Sequence, residues 1–506
     1  MMLDFEENTT IDLKADNYKL SAQNKQLQFI NENLKNLVRY YQKQLFGSSK
    51  DQLLPKEMFN EVELESNQEE QEEDNSESSN VGGYTRKKAK RRPLPAHLPR
   101  KEIIHDLKPE EKVCACCSSE LQKIGEETSE KLDIIPAQII VEKHIRYKYA
   151  CKACEGNIKK AELPVQLFPK SNATPGLLAH IIIAKYQDAL PLYRQESIFA
   201  RLDIDLSRSV MASWIIKIAG MLQPLINLMK EDIILGPIIN CDETRVRVLK
   251  KDGAKVEGNS FMWVMGSWMP ERNIIIFEYD ATRSSAVPLR LLSEFTGYLQ
   301  VDGYDGYNAA TQQYNIKRVG CFAHVKRKFT DCINSADKKY RKNHSAHKAL
   351  EFIRRLYKVE HDLKDLSIEE KTIKRQEKSI PILDEFRTWL TQERLEIPPK
   401  TAYGKALAYA YNEWAYLIRY VEHGALTPDN NKAENAIRPF VIGRKNWLFS
   451  DTEKGANASA ILYSIIETAK ANGLEPYFYL RNMLEKLPLA KTIQDYEALL
   501  PYKINS

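Results

Sequence analysis

Three strand-like runs follow one another between Gly236 and Asp280, and they constrain the fold more than any other feature of the chain. The runs are PIINCDETRVRVL, FMWVMGSWM and NIIIFEYD, each rich in β-branched and aromatic residues and separated from the next by turn signals. A helical pattern, SAVPLRLLSEF, and a further strand-like run, GYLQVDGY, come next. Successive strands followed by a helix and another strand predict an α/β domain with a mixed sheet.

Acidic residues stand at the ends of two of these apolar runs. Asp242 follows PIINC, and Asp302 follows YLQV. A third acid, Glu434, lies in DNNKAENAIRPF at the start of a predicted helix. Acids that end neighbouring strands can face an acid on a helix and hold two Mg²⁺ or Mn²⁺ ions, because hard cations prefer oxygen ligands. Any single acid is more often a solvated strand end or a helix cap, so the residues alone leave this choice open.

Two C-x-x-C pairs give the strongest local signal, because each pair can clamp one metal ion from a tight turn. Cys114, Cys117, Cys151 and Cys154 would close a tetrahedral site with no open position, which predicts a structural Zn²⁺. Four unligated thiols are the alternative, and Cys116 beside the first pair is an alternative ligand.

The chain has 506 residues and a mass of 58.4 kDa, which predicts two to four folded units. Its longest apolar run, GLLAHIIIA, is far shorter than the ~20 residues of a membrane span. The acidic N-terminal sequence, MMLDFEENTT, lacks the basic and apolar regions of a secretory signal. We therefore expect a cytoplasmic protein with no membrane partner.

Two different segments are predicted before the cysteine pairs. Residues 11–46 carry a heptad pattern that predicts a coiled-coil helix, with an amphipathic helix packed on its own domain as the alternative. The segment 47–101 is acidic and then basic, has few apolar residues and is predicted to be a disordered linker. The heptad positions are Leu13, Leu20, Leu27, Leu34 and Tyr41.

Residues 192–216 are compatible with a helix-turn-helix. LYRQESIFARL gives a first helix, DIDL a turn and SRSVMASWIIK a second helix that Ser207 caps. In a major groove, the second helix would place Arg208, Ser209 and Ser213 near base edges or phosphates. An ordinary pair of packed helices explains the pattern equally well, since helix pairs are common.

Two further clusters mix cations with aromatic residues, a combination that suits a phosphate backbone or a splayed base. One lies in CFAHVKRKF, at the start of a stretch (323–423) predicted to be mainly helical, and the other follows Glu434. A solvated basic face is the alternative for the first cluster. The DNA-binding candidates in the two clusters are His324, Lys326, Arg327, Arg438, Arg444, Lys445 and Trp447.

The order of these motifs resembles the transposases of the insertion sequence 66 family over nearly the whole chain. Where that family commonly has Arg after the third acid, this chain has Asn435. The segments that carry the resemblance are QLFGSSK, RRPLPAHLPR, the region from VCACC to KYACKAC, LPLYRQESIFARLDIDLSRSVMASW, NCDETRVRVL, GYLQVDGYDGYNA, GCFAHVKRKF, DNNKAENAIRPFVIGRKNWLFS and ETAKANGLEPYFYLRNMLEKL.

The resemblance implies a DNA transposase with an RNase-H-like catalytic domain, whose DDE triad falls on Asp242, Asp302 and Glu434. It implies that Mg²⁺ or Mn²⁺ binds the triad, that the cysteine pairs bind Zn²⁺ and that the helix-turn-helix region helps to bind the transposon ends. Double-stranded DNA, at the ends and at the target, is the expected partner. We also expect a homo-oligomer, and the small accessory proteins that such elements usually encode are candidate partners.

The expected architecture is multidomain α/β, with a catalytic domain preceded by a coiled coil, a zinc module and a helix-turn-helix region. A catalytically inactive DNA-binding protein derived from a transposase is the main alternative, followed by a nuclease without strand transfer and a coiled-coil scaffold. The predicted segments are 1–46 (coiled coil), 47–101 (linker), 102–160 (zinc module), 161–235 (helix-turn-helix region), 236–450 (catalytic domain with a helical insertion at about 331–425) and 451–506 (C-terminal helices).

Overall fold

The computed structural model describes residues 78–81, 84–87, 139–149, 159–169, 171–251, 254–255 and 260–504. The chain divides into two compact units, one formed by Asp51–Glu162 and the other by Met1–Lys50 with Leu163–Ser506. The predicted coiled-coil helix lies outside the described residues. The same holds for the four paired cysteines, Cys114, Cys117, Cys151 and Cys154.

The described part of the smaller unit contains short antiparallel strand pairs. Strand β1 (Ser78–Val81) pairs with β2 (Tyr84–Lys87), within the segment predicted to be a linker. Strand β3 (Lys148–Tyr149) pairs with β4 (Lys159–Lys160). In sequence, β3 lies just before the second cysteine pair and β4 just after it.

The described part of the larger unit begins its regular structure with three helices, α1 (Pro175–Tyr186), α2 (Leu192–Ala200) and α3 (Arg208–Ile234). The hydroxyls of Thr174 and Ser207 cap α1 and α3 by accepting a backbone N–H from the first turn. By length and composition, α3 is the one described helix that could cross a membrane. Nine of its residues are buried in the protein core, however, so packing accounts for its apolar face.

A five-stranded sheet follows these helices. Its strands lie in the order β11, β10, β5, β8, β9. Strands β5, β8 and β9 are antiparallel neighbours, whereas β10 and β11 run parallel to β5. The sheet is therefore mixed, and the α/β prediction is confirmed. The strands are β5 (Ile238–Val246), β8 (Ser260–Met269), β9 (Arg272–Asp280), β10 (Tyr298–Gln300) and β11 (Lys317–Val319).

The connections between strands follow from strand direction. A two-residue turn joins β8 to β9, where Met269 pairs with Arg272. Parallel strands need longer crossovers, and α4 (Ala286–Leu291) and α5 (Asn308–Gln313) lie in the connections to β10 and β11. A small second sheet has the order β12, β6, β7, formed by Ser450–Thr452, Val248–Lys251 and Ala254–Lys255 respectively.

A helical region between β11 and the C-terminal helices forms the main part of a second core. Phe352 and Phe386 stack in this core with ring centroids 5.0 Å apart. The buried guanidinium of Arg375 donates to Glu360 and to backbone carbonyls between residues 420 and 426, so its charge and its donors are satisfied. The helices are α6 (Phe322–Ser335), α7 (Lys338–Arg341), α8 (Ala346–Asp362), α9 (Ile368–Glu396) and α10 (Ala402–Leu417).

Four helices complete the described chain. The first of them, α11, packs against β5 and β8, and α12 packs against the outer strand β9. The four helices are α11 (Asn431–Trp447), α12 (Glu453–Ala471), α13 (Pro476–Lys486) and α14 (Ile493–Glu497). Together with α3, α11 and α12 bury the sheet, whereas α13 and α14 pack against other helices.

In the described part of the chain β9 is an edge strand of the sheet, and polar side chains of α12 and of its C-cap residue bond to its backbone. Three polar residues spaced four apart, and therefore one helical turn apart, each accept a backbone N–H from alternate residues of β9. The buried hydroxyl of Thr468 also donates to the carbonyl of Ile275 at 2.9 Å. The N–H donors and their acceptors are Phe277 to Ser464 (2.7 Å), Ile275 to Thr468 (3.0 Å) and Asn273 to Asn472 (3.1 Å).

We predict that Thr468→Val lowers the free energy of unfolding by about 1–3 kcal/mol. Valine keeps the shape of threonine but leaves the N–H and the carbonyl of Ile275 buried without a partner. Urea unfolding followed by tryptophan fluorescence measures the effect. The matched control is Thr391→Val on the exposed side of α9, which should change stability by no more than about 0.5 kcal/mol. Equal effects of the two substitutions would contradict the edge-capping role of Thr468.

Candidate active site

The parallel strands bring two of the predicted acids side by side. Gln300 of β10 pairs with Asn240 of β5, and continuing this register by two residues places Asp302 opposite Asp242. The register between β10 and β11 places Cys321 beside Asp302 in the same way. Neighbouring strands lie about 4.8 Å apart. Asp242 lies on β5, and Asp302 and Cys321 lie two residues beyond the ends of β10 and β11, so the three residues stand at the same edge of the parallel strands.

A buried amide network brings the third acid to this edge. The side-chain N–H of Asn430 donates to the carbonyl of Cys241 at 2.7 Å, and its oxygen accepts from Asn240 at 2.9 Å. Asn240 also donates to Gln300 at 3.2 Å. These bonds fix the start of α11 over β5 and β10. Glu434 lies in the first turn of α11, with its side chain only 11% exposed.

The acids are close enough to perturb one another. Burial raises the pKa of Asp242 well above its usual value, and the charges of Glu243, Glu434 and Asp302 raise it further. The backbone N–H of Glu243 donates to Asp242 at 2.8 Å and acts in the opposite direction. A divalent cation would relieve this repulsion, and every donor in the set Asp242, Asp302 and Glu434 is an oxygen. The donor chemistry therefore fits Mg²⁺ or Mn²⁺.

Glu243, the carboxylate next to Asp242, is bonded within the protein. Its side chain is 2% exposed, and it accepts hydrogen bonds from Tyr307 at 2.7 Å and from Nε of Arg283 at 2.7 Å. Arg283 also stacks on Tyr304, with its guanidinium carbon 3.9 Å from the ring centroid. The backbone N–H of Tyr304 in turn donates to Asp302 at 3.0 Å. Glu243 thus supports the loop that carries Asp302.

The first two turns of α6 flank Glu434. Nδ1 of His324 lies 3.7 Å from one oxygen of Glu434, and Nη2 of Arg327 lies 3.8 Å from the other. Burial lowers the pKa of His324 below its usual value, although the charge of Glu434 acts in the opposite direction. Among the described residues, Cys321, His324 and Glu434 are the trio of Cys, His, Asp or Glu whose ligand atoms all lie within 4.8 Å of one another.

Comparison with known protein families identifies the chain. The family model described as "Transposase IS66 family" matches residues 170–458, which is more than half of the sequence. The chain belongs to the IS66 family of transposases. Three further family models match: "zinc-finger binding domain of transposase IS66" at 111–155, "IS66 C-terminal element" at 464–502 and "Transposase C of IS166 homeodomain" at 33–103.

Relatives that match about four fifths of the chain occur in Sinorhizobium fredii (strain NBRC 101917 / NGR234). The uncharacterized protein y4jD is 33% identical over 421 residues, which cover 81% of this chain and 81% of y4jD. The uncharacterized protein y4hP is 30% identical over 443 residues, which cover 84% of this chain and 79% of y4hP.

The family matches bear on the N-terminal predictions. The zinc-finger match spans all four paired cysteines and supports a structural zinc. The homeodomain match covers 33–103, which includes the end of the predicted coiled coil and the predicted linker, and it supports a DNA-binding role for this part of the sequence. The predicted helix pair at 192–216 falls instead within the transposase match.

The predicted DNA-binding residues of this IS66 member occupy three places in the structure. One group lies on the first two turns of α3, where all its members are exposed, and a second lies at the start of α6. The third group follows Glu434 along α11. The groups are Arg208, Ser209 and Ser213; His324, Lys326 and Arg327; and Arg438, Arg444, Lys445 and Trp447.

Two residues of α11 also have partners inside the protein. Nη1 of Arg444 donates to the hydroxyl of Thr244 on β5 at 3.2 Å. The ring of Trp447 lies 4.1 Å from Nζ of Lys185 and contacts Tyr186 edge-on, with centroids 6.3 Å apart. These two side chains therefore connect α11 to β5 and α1.

Sequence reasoning missed the residues that position the acids in this transposase. Asn240 and Gln300 are polar residues inside apolar strands, and each stands two residues before an acid of the triad. A buried amide without a hydrogen-bond partner is unfavourable, so two amides at the same position relative to an acid could have indicated that they bond to each other. Asn430, four residues before Glu434, completes the network. Its bonds to Asn240 and Cys241 could not be predicted from the sequence.

We predict that Asp242→Asn stabilises the metal-free protein at neutral pH. Because its folded-state pKa is raised, folded Asp242 keeps its proton to higher pH than the unfolded chain does. The wild type therefore loses stability as pH rises from about 4, the pKa of an unfolded Asp, through the folded pKa. The amide of the variant does not ionise, so its free energy of unfolding does not fall in this way. The difference in stability between the variant and the wild type should therefore grow with pH and then level off. Urea unfolding in EDTA at several pH values measures it.

The matched control is Asp384→Asn, which changes an exposed acid on α9. It should leave the pH dependence of stability unchanged. A destabilising effect of Asp242→Asn at neutral pH in EDTA would contradict the described charge cluster.

Proposed function

We propose that this member of the IS66 family is a DNA transposase that binds the terminal repeats of an insertion sequence and catalyses metal-dependent strand cleavage and transfer. The observation that carries the proposal is the convergence of Asp242 and Asp302, on neighbouring strands, with Glu434 from α11. An oxygen-only site of this kind suits the hard divalent cations used in phosphoryl transfer.

The topology of the sheet supports an RNase-H-like fold for the catalytic domain. In chain order, the antiparallel strands β5, β8 and β9 precede β10 and β11, which run parallel to β5. The acids come from the first and fourth of these strands and from a later helix. The helical insertion predicted at about 331–425 would then comprise the end of α6 and helices α7–α10. These helices pack in their own core, so the insertion does not separate the acids.

Asp242, Asp302 and Glu434 would hold Mg²⁺ or Mn²⁺. When bound, two such ions activate a water or a 3′-hydroxyl and stabilise the leaving oxygen in an in-line displacement at phosphorus.

Neighbouring groups position the acids and face the DNA. Asn430 fixes the first turn of α11, and the positive end of that helix favours the carboxylate of Glu434. The side chains of Arg283 and Arg327 border the acids and are 41% and 47% exposed. Their guanidinium groups would bind phosphates beside the scissile bond. Water and the 3′-hydroxyl serve as nucleophiles, so no protein nucleophile is required.

Double-stranded DNA is the proposed partner, and family membership together with the homeodomain match supports it. The candidate residues on α3, α6 and α11 would contact the transposon ends and the target. Joining two ends requires at least two active sites, so we propose a homo-oligomer that acts in the cytoplasm. Small accessory proteins of the element are proposed as further partners, and the four paired cysteines as ligands of the structural Zn²⁺.

The decisive experiment is cleavage and joining of labelled DNA that carries the terminal repeat flanking this coding sequence. With Mg²⁺, the wild type should give cleaved and joined products. Asp242→Asn, Asp302→Asn and Glu434→Gln should each lower the rate by at least ~100-fold, because each removes a charged cation ligand. The control Asp384→Asn should match the wild type. Mobility-shift assays should show that every variant still binds the end.

The alternatives predict different products. Binding of the end without any cleavage would favour a catalytically inactive DNA-binding protein or a requirement for an accessory protein. Cleavage without joining would favour a nuclease. Equal products from the wild type and Asp242→Asn would mean that this acid does not belong to the active site.

A further inference from the structure

A second ligand set shares Glu434 with the acid triad. Cys321 follows β11, His324 lies in the first turn of α6 and Glu434 lies in the first turn of α11. The sulfur, a ring nitrogen and a carboxylate oxygen of this trio all lie within 4.8 Å of one another. The set therefore joins a soft, a borderline and a hard donor at one point.

We propose that Cys321, His324 and Glu434 form a binding site for a thiophilic divalent ion, with Zn²⁺ as the principal ligand. Zn²⁺ binds thiolate, imidazole and carboxylate, whereas Mg²⁺ avoids sulfur and nitrogen. The three residues supply three ligands, which leaves a fourth tetrahedral position for water. The three proposed ligands lie outside the segment 111–155 that the zinc-finger family model matches.

The distances are close to those that a bound ion would impose. Bond lengths of about 2.1 Å and a tetrahedral angle place the nitrogen and oxygen ligands of Zn²⁺ about 3.4 Å apart. The observed distance from Nδ1 of His324 to Oε1 of Glu434 is 3.7 Å. Small side-chain rotations would therefore complete the site.

The surroundings of the His324 and Cys321 ligand atoms also suit a metal ion. Nδ1 of His324 is buried, and no hydrogen-bond partner for it lies in the described part of the chain. Its distance to Glu434 is too long for a hydrogen bond. The backbone N–H of Asn430 donates to Sγ of Cys321 at 3.2 Å, but burial and the charge of Glu434 raise the pKa of this thiol above its usual value, so a bound metal ion has to displace its proton. Binding transfers the thiol proton to solvent as the metal–sulfur bond forms.

Occupancy of this site would inhibit strand cleavage, a consequence that rests on the proposed function. An ion bound to Cys321 and His324 would draw Glu434 away from Asp242 and Asp302. Its charge would also oppose binding of the catalytic cations nearby, because like charges repel. The transposase would therefore be inhibited by Zn²⁺ even when Mg²⁺ is present in excess, since Zn²⁺ binds nitrogen and sulfur ligands far more tightly.

Cobalt substitution tests the site without any requirement for activity. The full chain, loaded with one equivalent of Zn²⁺ for the zinc finger, is titrated with Co²⁺ and followed by absorption spectroscopy. We expect a near-ultraviolet thiolate-to-cobalt band together with visible bands typical of four-coordinate cobalt. Cys321→Ser should remove the near-ultraviolet band. His324→Asn, a second variant that leaves the thiol in place, should weaken Co²⁺ binding by about tenfold or more.

Cys332→Ser is the matched control. Cys332 is another buried cysteine of α6, and its thiol bonds to the carbonyl of Lys328, away from Glu434. This variant should keep the cobalt spectrum of the wild type. Absence of the band in the wild type, or its persistence in Cys321→Ser, would overturn the proposed site.

An activity arm separates this proposal from the proposed function. Each variant is compared with and without Zn²⁺ in the cleavage assay, relative to its own zinc-free rate. The zinc concentration that halves the rate should rise by roughly tenfold or more in Cys321→Ser and stay unchanged in Cys332→Ser. Unchanged zinc sensitivity in Cys321→Ser would overturn the inhibitory role. A wild type without cleavage would count against the proposed function, while the cobalt titration would still decide whether the metal site exists.

Discussion

The buried amides of Asn240, Gln300 and Asn430 join parts of the chain that lie up to 190 residues apart in sequence. Amides in a dry interior are stable only when they are paired, so this network permits one position of α11 over the sheet. The position of Glu434 follows from it, because this acid stands one turn into the helix that Asn430 anchors. Packing and hydrogen bonding therefore hold the acids close together.

Two cores support this arrangement from opposite sides. The first core packs the five-stranded sheet against α3, α11 and α12, and the hydroxyls of α12 satisfy the edge of β9. The second core is formed mainly by the helices between Asp302 and Glu434, after which the chain comes back to the acids. There the hydroxyl of Tyr357 donates to Asp429 at 2.7 Å, and the N–H of Phe322 donates to Pro428 at 2.9 Å. The helical region thus also holds the segment that precedes α11.

The local pattern of the sequence was sufficient to predict the strands around Asp242 and Asp302 and the α/β class, because alternating and continuous apolar runs report burial directly. It was not sufficient for what depends on long-range register. His324 was predicted to bind DNA from its basic neighbours, whereas the structure places its ring beside Glu434. The role of Cys321 follows from its register with Asp302 across β10 and β11. The side-chain capping of β9 likewise depends on how α12 packs against that strand.

The most direct test of the account is the position of Mn²⁺ in crystals of the full chain bound to an element end, measured by anomalous scattering. The account predicts manganese within bonding distance of carboxylate oxygens from Asp242, Asp302 and Glu434. Manganese bound elsewhere, with these three carboxylates unligated, would contradict the proposal that the amide network assembles a cation-dependent active site.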